Sequence, residues 1–108
     1  MTKKTEDSQR FSKMIGANIK FLRLSQDRFM PQKVPAGYIG ITYQQLEKYE
    51  NGKNMPCAYR IQQIADFYKV TPNDIYNPSF IHEKTKSNET LDRAPSQEIK
   101  TEAANGNI

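Results

Sequence analysis

A glutamine and a lysine one helical turn apart, Gln44 and Lys48, carry the most pointed chemistry in this sequence. A glutamine amide accepts and donates at once, which suits N6 and N7 of adenine, and a lysine ammonium donates to O6 and N7 of guanine. Tyr43 stands just ahead of the pair, placed for a thymine methyl or a phosphate, and Gln45 lies beside Gln44. On an isolated helix the same residues read more simply as a solvated face. The makings of catalysis are thin: no glycine-rich phosphate loop, no Ser/His/Asp set and no metal-ligand spacing occurs. A lone Cys57 rules out an internal disulfide, and with His82 the single histidine no zinc site of the usual ligand count assembles. Cys57 follows Pro56 at an expected helix start, which favours a lowered thiol pKa. No base stands ready to use it, so a small helix-start residue is the better account. His82 reads as solvated, and Met14, Met30 and Met55 as core filler or turn residues. Neither an enzyme nor a metal nor a cofactor is expected.

The pair is positioned by local punctuation. Thr42 is an N-cap, Gln45 three residues on completes a capping box, and Ile41 and Leu46 occupy the staple positions. Gly52 suits the left-handed turn that ends a helix. A helix of about two and a half turns follows, with Leu46 and Tyr49 inward and Gln44, Glu47, Lys48 and Asn51 outward. A formed capping box would occupy Gln45 and take it out of any contact.

Apolar spacing is helical on either side. Phe11, Ile15, Ile19 and Leu22 predict a helix over Arg10 to Leu24, with Lys13 and Lys20 on another face. Ile61, Ile64, Ala65 and Tyr68 predict one over Cys57 to Tyr68. Thr71-Pro72-Asn73-Asp74 supplies cap, first-position proline and acid for a last short helix through Tyr76. No window alternates with period two, so the fold class is all-α.

At 108 residues there is room for one domain. Mean hydropathy is −0.84, and no stretch approaches the roughly 18 apolar residues of a membrane span. Met1 to Arg10 lacks an apolar signal region, so a cytoplasmic, nucleoid-associated protein is expected. Residues 1–9 read as a flexible arm, 10–82 as the folded domain, and 83–108 as a disordered tail with no face to bury. Residues 1–82 carry twelve basic and seven acidic side chains, a net +5, while 83–108 carry four and five, a net −1. A basic body suits a polyanion, though many ordinary domains reach this charge.

The run from Gly40 through Ile41-Thr42-Tyr43-Gln44-Gln45-Leu46-Glu47-Lys48-Tyr49-Glu50-Asn51-Gly52-Lys53 to Asn54 resembles the turn and recognition helix of the phage repressor and Cro class of helix-turn-helix regulators, also called the xenobiotic-response-element class. Ile15-Gly16 and Ile19-Lys20 with Arg23 resemble its first helix, and Arg60 to Ala65 its fourth. The likeness covers residues 11–77. It implies a compact five-helix, lambda-repressor-like domain whose third helix enters the major groove, working as a homodimer across two half-sites. It places Tyr43, Gln44, Gln45 and Lys48 at base edges, and Gln32, Lys33, Asn51, Lys53, Asn54 and Arg60 at phosphates. It joins Arg23 and Glu50 in a buried salt bridge. The implied function is sequence-specific binding of double-stranded DNA by a transcriptional regulator, a repressor at a palindromic operator, since no second domain senses a ligand. The alternative is a protein-interaction module such as the antitoxin of a toxin–antitoxin pair, holding a protein partner through the tail.

Helix two departs from the pattern. Leu24-Ser25-Gln26 matches its opening locally but leaves no turn after Arg23. Counting back from Gly40 puts the opening at Pro31-Gln32, with Ala36 and Ile39 in the apolar slots and a preceding turn longer by about two residues. Pro31 then replaces the capping hydroxyl, Pro35 falls inside the helix and Gly37 follows, so the helix is expected to be short, distorted or late in starting. Ile75, Tyr76, Phe80 and Ile81 are the candidates for a dimer contact, unless they close the monomer's own core.

Overall fold

A computed structural model describes residues 5–26, 28 and 30–93, with side chains as far as 86, and the pairs 103–104 and 106–107. Six helices occur in order among these described residues: α1 (Glu6–Leu24), α2 (Lys33–Ile39), α3 (Tyr43–Glu50), α4 (Ala58–Tyr68), α5 (Pro72–Tyr76) and α6 (Phe80–Arg93). A two-residue antiparallel ladder, β1 (Ala103–Ala104) with β2 (Gly106–Asn107), leaves the class all-α.

Helix α1 begins at Glu6, ahead of the expected Arg10, because the Thr5 hydroxyl accepts from the Ser8 N–H at 3.0 Å. Glu6 and Asp7 in its first turn face the positive end of the helix dipole. The expected flexible arm is thus helical from Glu6, and residues 1–4 of it lie outside the described residues. Ile15, Ile19 and Leu22 are buried as the spacing requires. Phe11, expected on the same inner face, is instead 41% exposed and stacks on Tyr76 with ring centroids 6.2 Å apart.

Helix α1 ends where the first register would have opened α2. Ser25 N–H donates to Phe21 O at 3.0 Å and the Gln26 amide donates back to Leu22 O at 2.8 Å, so both residues terminate α1. Helix α2 is short and starts after Gln32, which makes no side-chain cap. Pro35 is its third residue, where the missing N–H belongs to the unpaired first turn anyway. The ring is buried, and Ala36 N–H resumes the ladder to Gln32 O at 3.1 Å. Gly40 closes the helix at φ +92°, a left-handed turn that favours glycine, and sends the chain through Ile41 into α3.

Ile15, Ile19, Leu46, Ile61, Ile64 and Ile75 meet in one core, with α1 packed across α3. That crossing depends on Gly16. A Cβ there would fall 2.3 Å from the Tyr49 carbonyl oxygen and 2.6 Å from that of Glu50. Thr71 and Asp74 form the capping box that starts α5.

The tail expected to be disordered from Glu83 is helical as far as Arg93. Asn18 of α1 holds the elbow before it, donating to the carbonyls of Ile75 at 2.8 Å and Asn77 at 3.0 Å. Phe80 then enters the core edge-on to Phe21. Burial of that ring anchors the start of a helix whose own apolar pattern is weak. Two of the dimer candidates are therefore corrected: Ile75 and Phe80, at 0% and 2% exposure, close the monomer's core. Most of the remaining tail, 94–102, 105 and 108, lies outside the described residues.

Candidate nucleic-acid interface

Helices α2 and α3 are locked to α1 by one polar cluster. Arg23 Nε donates to Glu50 Oε2 at 2.8 Å and Nη2 to Oε1 at 2.9 Å, with both side chains nearly inaccessible. The remaining nitrogen, Nη1, donates to the Met30 carbonyl at 2.8 Å and ties the chain just ahead of α2 to α1. Gln32 Nε2 donates to Glu50 Oε1 at 3.0 Å. The bond to Glu50 raises the Arg23 pKa further. Beside the pair lies the buried Tyr68 hydroxyl, which has no hydrogen-bond partner among the described residues. Burial drives that phenol well above its ordinary range, the Glu50 charge adds to the shift, and Arg23 opposes it.

With Glu50 held below, the opposite edge of α3 faces outward. Thr42 caps it by accepting from Gln45 N–H at 3.1 Å, and Ile41 packs against the core. The reciprocal half of the expected capping box is not made among the described residues, so the half-buried Gln45 amide is not spent on the cap. Gln44, Glu47 and Lys48 are exposed. Tyr43 is 41% exposed, and Lys33 of α2 sits over its ring with Nζ 5.7 Å from the centroid. Such a cation over an aromatic face contributes about 0.5–1 kcal/mol at an exposed site.

The loop after α3 is ordered by its own bonds. Gly52 turns at φ +82°, Asn51 Oδ1 accepts from Lys53 N–H at 3.0 Å, and Lys48 O accepts from the N–H groups of Lys53 and Asn54. Asn51, Lys53 and Asn54 are exposed. Arg60, in the first turn of α4, lies over the Tyr59 ring and donates to Gln63 Oε1 at 2.7 Å. Gln63 in turn donates to Ile39 O at 3.3 Å, tying α4 to the end of α2. Cys57 is exposed at the α4 N-cap, and the Arg60 backbone N–H is the main cause of its lowered pKa.

The arrangement gathers Tyr43, Gln44, Gln45 and Lys48 on one helix and Lys33 beside its start. Gln32 is the residue whose surroundings differ most from expectation, because one amide N–H is committed to Glu50. The Lys33–Tyr43 and Gln32–Glu50 contacts cross between helices, and no spacing along the chain announces either. No helix among the described residues is long and apolar enough to cross a membrane.

A short helix, a left-handed glycine turn and a second helix capped by threonine with a polar outer edge together define a helix-turn-helix unit. Residues 31–75 match the family model described as Helix-turn-helix, and the chain carries such a domain, of the phage repressor and Cro type. The match opens at Pro31, in keeping with the later of the two registers.

Two curated relatives come from Sinorhizobium fredii. The uncharacterized HTH-type transcriptional regulator y4aM is 41% identical over 59 residues, which are 55% of this chain and 40% of that protein. The uncharacterized HTH-type transcriptional regulator y4wC is 37% identical over 79 residues, 69% of this chain and 54% of that protein. The chain thus spans about half the length of these relatives or less. No solved structure matches it.

Proposed function

We propose that this chain is a sequence-specific, double-stranded-DNA-binding regulator of transcription, acting in the nucleoid as a repressor at a palindromic operator. The observation that carries the reading is the outer edge of α3. Gln44 and Lys48 are exposed one turn apart, the Gln45 amide is not used by the cap, and the helix is clamped from below through Glu50. Clamping matters because a base-reading side chain discriminates only when its backbone cannot shift to suit the wrong base. Lys33, Asn51, Lys53, Asn54 and Arg60 supply sequence-independent grip on phosphates, joined by the second amide N–H of Gln32. The names of the relatives, transcriptional regulators, support the same reading.

A homodimer is part of the proposal. Of the original apolar candidates, Tyr76 and Ile81 remain at least partly at the surface. Tyr76 borders a cleft of about 380 Å³ with Phe11, Met14 and Pro78, rimmed by the Asp7–Arg10 ion pair. Apolar area of this kind suits a two-fold contact in which the same patch meets itself. Selection of bound sites from a random duplex pool tests function and symmetry together. A two-fold motif is the expected result, and recovery of no motif from a pool that the protein binds would remove the claim of sequence specificity.

A further inference from the structure

The loop after α3 leans on α1. Ser12 Oγ donates to the Gly52 carbonyl at 2.9 Å. Gly52 lies so near the helix that a Cβ on it would fall 2.8 Å from Lys13 Cα and 2.7 Å from Lys13 Cγ. The stem of Lys13 therefore runs along the loop backbone, while the residue as a whole stays exposed. Long cationic side chains behave this way, burying their methylenes and keeping the charge in water. The loop beside it presents Asn51, Lys53 and Asn54.

Electrostatics gives Lys13 a reason to matter there. The carboxyl end of α3 directs its carbonyls at this loop, a partial negative charge that opposes an approaching phosphate. Arg23 is spent on neutralising Glu50. A phosphate seated at the loop thus needs a further cation, and α1 supplies one at the point of contact. We propose that Lys13 is an additional phosphate-contacting residue, which makes α1 part of the DNA grip. This rests on the reading of α3 as the element that enters DNA.

The test compares Lys13→Gln with Lys84→Gln, which removes the same charge from α6, on a random-sequence duplex pool and on the motif recovered from it. Lys13→Gln is expected to lower the slope of log affinity against log salt by about 0.9 per bound copy. It should weaken target and random duplex by the same factor, leaving the specificity ratio unchanged. Lys84→Gln should leave the slope as it is, and Lys13→Arg should bind as the parent does. An unchanged slope in Lys13→Gln, an equal loss in Lys84→Gln, or a Lys13→Arg as weak as Lys13→Gln overturns the proposal. If the unaltered protein ignores both duplexes in dilute buffer, the parent reading falls with it. If that protein binds and Lys13→Gln matches it, only the role of Lys13 falls. Urea midpoints of the variants separate a lost contact from a lost fold.

Discussion

Arg23 and Glu50, 27 residues apart in the chain, meet through two parallel hydrogen bonds of 2.8 and 2.9 Å inside the protein. The pair fastens the last residue of α3 to the end of α1, and through Met30 and Gln32 it also sets where α2 begins. Truncating one partner leaves the other charge buried without compensation, which costs roughly 3–5 kcal/mol. Glu50→Ala should lower the urea midpoint by that equivalent. Arg23→Met with Glu50→Leu should recover most of the loss, because two apolar groups carry no desolvation debt. A single Glu50→Ala that unfolds at the parent's midpoint would show the clamp to be dispensable.

Two glycines should respond in opposite directions to alanine. At Gly16 the added carbon meets backbone oxygens of Tyr49 and Glu50 that cannot turn aside, so α1 must move off α3. Overpacking of this kind costs about 1–3 kcal/mol, and rigid backbone neighbours put Gly16→Ala toward the upper end. At Gly37, inside α2, the carbon meets nothing within 4 Å. Gly37→Ala should stabilise by up to about 1 kcal/mol through helix propensity. Equilibrium denaturation of both variants checks the pair.

Tyr68 predicts an alkaline limit. Its phenol, raised from an ordinary value of 10.0, stays protonated in the folded protein where the unfolded chain already ionises. The associated stability is complete below about pH 10 and drains away as pH climbs past it toward the folded-state value. Tyr68→Phe should remove that decline. It should also match or exceed the parent at neutral pH, since the lost hydroxyl has no partner among the described residues. Melting temperatures from pH 7 to 11 read out both effects.

Binding to DNA should be steeply salt-dependent. Neutralising about six phosphates per dimer lowers affinity roughly a thousandfold between 50 and 200 mM salt. Gln44→Ala together with Lys48→Ala should erase target preference, while retaining most affinity for random duplex. Fluorescence anisotropy across a salt series measures both, and salt-indifferent binding or intact preference in the double variant would count against the α3 reading.

Much of this architecture is legible along the chain because it is local. Thr42 and Thr71 act on backbone groups within a few residues, so the starts of α3 and α5 follow from residue types alone, while the turn at Gly40 is legible through the family resemblance. The spacing of Ile15, Ile19 and Leu22 reveals an inward face for the same reason: helical period is a property of neighbours. The two starts read less well are instructive. Thr5 caps α1 at a point where no apolar period has begun, and α2 is displaced by prolines whose cost depends on which turn receives them.

What lies across the chain had to await the packed molecule. That Gln32 turns toward Glu50, that Lys13 abuts Gly52, and that Ile75 and Phe80 belong to the core are facts of three-dimensional proximity. An apolar residue is equally content against its own core or a second copy, and a polar one against a carboxylate or a phosphate. Its type sets what it can satisfy. The neighbours that folding brings within a few ångströms set which of those options is taken.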